Sequence, residues 1–158
     1  MSQPNASPDH PGNTLPMPRP PRREIQELWL ALARRPWRSA VLVPVDPAGS
    51  AAIVAASLAE VGRRLRLGQV SAVVASRLDY EDAAQMVRRL EGLRGGVASD
   101  PLVVAIPSVV AEPLGVAVAR EADLVVLCIE LGQSSLAAAR RTIELIGSDR
   151  IAGCLLLG

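Results

Sequence analysis

Lysine is absent from all 158 residues; the 17 basic side chains are all arginine. No ammonium group can therefore reach a bound phosphate, the usual part of a lysine in a phosphate-binding loop. Phenylalanine is also absent, and aromatics make up 2% of a chain that is 49% apolar. Any core must then be built from Val, Leu, Ile and Ala. The single histidine, His10, lies in a polar N-terminal stretch, which excludes a Ser-His-Asp triad from the rest of the chain. The two cysteines, Cys128 and Cys154, are too few for a metal site and sit within apolar runs, so they read as buried, reduced thiols. No apolar run approaches the ~18 residues of a membrane span. The N-terminus lacks an apolar signal core. The expectation is a cytoplasmic protein without membrane insertion. Its net charge of +1 offers no long-range field for nucleic acid.

What is present divides in two. Residues 1–23 are rich in Pro, Ser and Asn, with prolines at 4, 8, 11, 16, 18, 20 and 21. Proline removes donors and blocks helix, so this segment is expected to be disordered. Residues 24–158 read as one α/β domain. Ile25, Leu28, Trp29 and Leu32 recur at helical spacing before Pro36. Five short apolar runs follow, at 40–45, 70–75, 102–106, 124–129 and 151–157, whose Val/Leu/Ile content predicts buried strands. Amphipathic stretches alternate with them: Val54, Leu58, Val61 and Leu65; Ala83, Val87 and Leu90; a short helix over 113–120; and Leu136, Ala139, Ile143 and Ile146. Strand–helix alternation predicts right-handed crossovers and a mainly parallel five-stranded sheet flanked by helices in three layers.

The first strand runs through Pro47-Ala48-Gly49-Ser50-Ala51-Ala52 into a helix. That is the context in which backbone N–H groups cradle phosphates. This turn, the helix start Val54-Ala55-Ala56-Ser57-Leu58-Ala59 and the preceding Glu24–Leu32 stretch together resemble the opening of the bacterial tyrosine kinases of capsule and exopolysaccharide synthesis. These kinases are a branch of the MinD/ParA-like P-loop ATPases. The family reads Pro-Gly-Glu-Gly-Lys-Ser/Thr. Its glycines fall on Ala48 and Ser50, its lysine on Ala51 and its magnesium-binding hydroxyl on Ala52. A second family segment, Asp-Thr-Pro-Pro, resembles Ala105-Ile106-Pro107-Ser108, with the metal-site aspartate at Ala105. Ala122-Asp123-Leu124-Val125, Gly132-Gln133-Ser134 and the final Ile151–Leu156 stretch resemble later family elements. The second acidic motif (Asp-x-Asp) and the tyrosine-rich tail are missing, Tyr80 being the only tyrosine.

The resemblance implies a P-loop fold without working chemistry, since positioning and electrostatics are nearly all of phosphoryl-transfer catalysis. No catalytic residue, metal or cofactor is expected. The expected partner is a protein: a membrane copolymerase or active kinase of polysaccharide export, or a second copy of the chain. Recruitment to the inner face of the membrane would follow. The first helix helps to build oligomers in that family, and Glu24, Glu27, Arg34 and Arg35 are the charges on the corresponding element here. The alternative is a weak nucleotide-binding sensor, or a noncanonical ATPase of the MinD/ParA type, that binds through the amides around Gly49. Other constellations have plainer explanations. Glu81 and Asp82 suit a helix N-terminus, Ser134 and Ser135 suit caps, and Asp123 suits a structural anchor.

Overall fold

The computed structural model describes residues 22–66, 68–96 and 100–158, the side chain of residue 66 excepted. The expected leader lies, up to residue 21, outside the described residues. The chain then runs α1 (Arg23–Leu32), β1 (Ser39–Pro44), α2 (Ala52–Arg66), β2 (Ser71–Val74), α3 (Tyr80–Gly95), β3 (Leu102–Ala105), α4 (Gly115–Glu121), β4 (Leu124–Glu130), α5 (Leu136–Ile146), a short 3-10 turn, and β5 (Ile151–Leu157). The strands form one five-stranded sheet in the order β2-β3-β1-β4-β5. Every pairing is parallel.

Alternation along the central strands produces two apolar layers. Ala40 and Leu42 of β1, Val103 and Ala105 of β3, and Val126 and Cys128 of β4 meet Ile25, Trp29 and Leu32 of α1 and Val54, Leu58 and Val61 of α2. Val41 and Val43, Val104, and Val125 and Leu127 face the other way, onto Leu90 of α3, Val118 of α4 and Ile146 of α5. α1 and α2 thus cover one face and α3, α4 and α5 the other, which is the expected three-layer arrangement.

Several details depart from the sequence expectations. β2 and β5 are not buried strands: they are the sheet edges, and Val74 and Leu156 are about half exposed. Cys154 on β5 is consequently exposed, while Cys128 on the inner strand β4 is buried. The stripe on α5 is rotated. Leu136 is 68% exposed, and Thr142 and Ile146 are the buried positions. Thr142 is admitted to the core because its Oγ1 donates to the Ala138 carbonyl at 2.8 Å, which removes the cost of burying a hydroxyl. On α2, similarly, Leu65 at the end of the stripe is exposed.

The caps largely follow the expectations. Asp79 caps α3 by accepting the Asp82 N–H at 2.8 Å, with Glu81 and Asp82 in the first turn. Ser135 caps α5 through Ala138 N–H. Ser134 does not cap; its hydroxyl accepts the Glu130 N–H at 3.0 Å and closes the turn after β4. Asp123 is an anchor: its carboxylate accepts the N–H groups of Arg38 and Ser39 at 2.7 and 3.1 Å, and the Ser39 hydroxyl accepts the Asp123 N–H. This reciprocal set locks the starts of β1 and β4 together.

Candidate functional site

Open parallel sheets take ligands outside the carboxyl ends of their strands, where neighbouring connections leave in opposite directions. Here the chain leaves β1 through α2 over one face and leaves β4 through α5 over the other. The turn between β1 and α2, residues 45–51, stands at that crevice. Val45 N–H donates to the Cys128 carbonyl at 2.9 Å, tying the base of the turn to β4.

The turn folds around its own acid. Asp46 accepts the Ala48 N–H through its carboxylate at 2.8 Å and the Gly49 N–H through its carbonyl at 2.9 Å. The Ser50 hydroxyl accepts the Ala52 N–H at 3.3 Å. Three amides that a phosphate would call on are therefore engaged internally, and a negative charge stands among them. Crowding favours glycine at position 49. A Cβ there would lie 3.1 Å from the Asp46 carbonyl oxygen and 3.2 Å from the Pro44 Cβ. Neither neighbour is the free end of a flexible side chain.

The remaining positions are closed to charge chemistry. Ala51 is 1% exposed and Ala105, at the end of β3, is 2% exposed; both belong to the apolar layer beneath α1 and α2. Ala52 opens α2 half-buried, Pro47 and Ala48 are exposed, and Pro107 is half-buried after β3. The Ser108 hydroxyl accepts the Val110 N–H at 3.3 Å and so closes its own turn. A nucleotide with its magnesium does not fit these residues. Within residues 47–52 and 105–108 no side chain offers a cation or a carboxylate, the hydroxyls of Ser50 and Ser108 accept amides of their own turns, and the amides of Ala48, Gly49 and Ala52 are already engaged. Among the described residues, no three His, Cys, Asp or Glu side chains gather as a metal site.

The four charges expected on the first helix are divided between the helix and the turn that follows it. Glu24 and Glu27 are exposed on α1, with Glu27 paired to Arg23 at 2.7 Å. Arg34 and Arg35 lie beyond the end of α1, in the turn leading to β1. There they join a different feature that sequence reading missed. An open groove of about 1230 Å³ lies at the opposite end of the sheet from the 45–51 turn, and six arginines line it. The only hint in the sequence is the arginine richness itself.

Among the described residues, no helix is long and apolar enough to cross a membrane. No protein-family model matches the chain, and no curated protein matches it in sequence. Its fold is similar to the solved structure of the BceF tyrosine kinase domain, with a TM-score of 0.56 and 16% identity. The match covers 84% of this chain and 73% of that one. At that identity the likeness bears on architecture. The chain has an all-parallel α/β fold of the P-loop NTPase-like kind.

Proposed function

We propose that this chain is a catalytically silent relative of the polysaccharide tyrosine kinases, and that it acts by binding a protein partner in exopolysaccharide or capsule synthesis and export. The observation that carries the reading is the Asp46-centred turn. The amides of Ala48 and Gly49 are spent on Asp46 itself, and the neighbouring Ala51 is packed in the core. A single preorganised donor to the transition state is worth ~3–4 kcal/mol, so losing the lysine, the magnesium hydroxyl and the metal-site aspartate together removes useful turnover. The same turn disfavours the sensor alternative, because a bound phosphate must displace a carboxylate of its own sign. The partner is a protein of the export machinery at the inner face of the membrane, or a second copy of the chain.

The test is calorimetric titration of the purified chain with ATP and ADP, with and without magnesium, up to millimolar nucleotide. Silence is the expected result. Saturable heat that disappears when Ala51 and Ala52 are replaced by bulky residues would establish a nucleotide sensor and overturn the reading.

A further inference from the structure

The arginine groove lies where the strands begin. Arg38 precedes β1, Pro101 precedes β3, Asp123 and Leu124 open β4, and Arg150 precedes β5. Arg34 and Arg35 come from the turn after α1, Arg94 from the last turn of α3, and Arg120 from the last turn of α4. Only two acids, Glu121 and Asp123, share the lining. The groove therefore carries a formal charge of +4 in a chain whose total is +1, so the rest of the molecule is net negative. Low overall charge conceals this concentration.

The partners of these groups leave the charge uncompensated. Asp123 is committed to the backbone N–H groups of Arg38 and Ser39. Glu121 pairs with Arg94 at 3.2 Å. Arg38 donates to the Gly96 carbonyl, and Arg120 donates to the carbonyls of Leu145 and Ile146 at 2.9 and 3.4 Å. Carbonyl acceptors orient a guanidinium without neutralising it. Arg34, Arg35 and Arg150 are exposed and have no side-chain partner among the described residues.

We propose that this groove binds an acidic peptide segment of a partner protein, its carboxylates taken by Arg34, Arg35 and Arg150. Guanidinium forks match carboxylates bidentately, and arginine clusters are a recurring means of reading acidic segments. The space exceeds the usual small-molecule pocket and is open and arginine-lined, which suits a length of chain. Single-stranded nucleic acid is disfavoured. The only aromatics in the lining, Trp29 and Trp37, are 3% and 9% exposed and packed edge-to-face on each other, so no stacking platform is offered. A flat anionic bilayer does not follow a concave wall. The proposal rests on the protein-binding reading above and gives that partner its chemistry.

Both tryptophans of the chain line the groove, so intrinsic fluorescence reports on it directly. The full chain is titrated with a capped Glu-rich peptide at low and physiological salt, by fluorescence and by calorimetry. Saturable binding that weakens with salt is expected. The R34E/R35E double variant and, separately, R150E should each weaken it roughly tenfold or more. These side chains are exposed and unpaired, so far-UV circular dichroism and melting should stay unchanged, which separates loss of binding from loss of fold. No binding at low salt overturns the proposal, and so does binding indifferent to both variants. Tighter binding of a single-stranded oligonucleotide or of phosphatidylserine vesicles through the same arginines would reassign the ligand class. The nucleotide titration probes the other end of the sheet, so silence there with failure here leaves the silent-enzyme reading standing and removes only the groove.

Discussion

Replacing Gly62 by alanine tests how α1 is seated. Gly62 lies inside α2, where alanine is normally favoured by about 1 kcal/mol on helix propensity. Here an added Cβ would fall 2.5 and 2.7 Å from the Cη2 and Cζ3 atoms of Trp29, and 2.9 Å from a methyl of Val70. The indole cannot swing away. It is 3% exposed, and its ring meets Trp37 with centroids 5.4 Å apart at 71°. Overpacking of this kind costs about 1–3 kcal/mol. Displacing the indole also disturbs an aromatic pair worth about 0.5–1.5 kcal/mol beyond its buried area. These costs exceed the propensity gain, and the expected net loss is about 2 kcal/mol, a fall in Tm of roughly 4–8 °C for a domain of this size. Urea and thermal unfolding followed by circular dichroism give the number. Trp29→Phe removes the two ring atoms nearest the new methyl, so G62A should cost clearly less in that background, which a double-mutant cycle reads as coupling. A stabilised G62A, or equal cost in both backgrounds, would refute the seating of α1 on α2 through this glycine.

Further outcomes follow from the anchors and thiols. Asp123→Ala strips the acceptor from the N–H groups of Arg38 and buried Ser39, and should cost about 2 kcal/mol in urea unfolding. D123N, which keeps an oxygen acceptor, should cost less; a neutral D123A would remove Asp123 as the lock between β1 and β4. Iodoacetamide at mildly alkaline pH should modify Cys154 in the native chain and Cys128 only on unfolding, as read by mass spectrometry. Burial pushes the Cys128 thiol from 9.0 up to about 12. Its neutral form therefore contributes stability fully below the unfolded-state value, near 8.5. That contribution is lost as pH rises from there toward 12. Cys128→Ala should flatten the alkaline fall in stability, and an unchanged slope would assign the fall to other groups.

Much of the architecture was legible because apolar periodicity is a local property. Short Val/Leu/Ile runs between amphipathic stretches can bury themselves only as a covered parallel sheet, and the reading of the 47–52 turn needed only residue order. The errors arose where burial depends on neighbours. Whether 70–75 and 151–157 lie inside or at the edge of the sheet is set by strand order, which periodicity does not contain, and the exposure of Cys154 follows from its strand's place at the edge. Burial of Thr142 is not legible in the sequence, because a hydroxyl reads as polar until its i−4 carbonyl partner is known.

The sequence by itself therefore determined the fold class and the absence of lysine, since both are matters of residue type and order. Only the tertiary structure decided that Asp46 turns the amides of Ala48 and Gly49 inward on itself. Likewise, only the tertiary structure brought Arg34, Arg35, Arg38, Arg94, Arg120 and Arg150 together. Those arginines are scattered along almost the whole domain. They converge because parallel strands all begin at one end of the sheet, where the segments that enter the strands and the helix ends before them must meet.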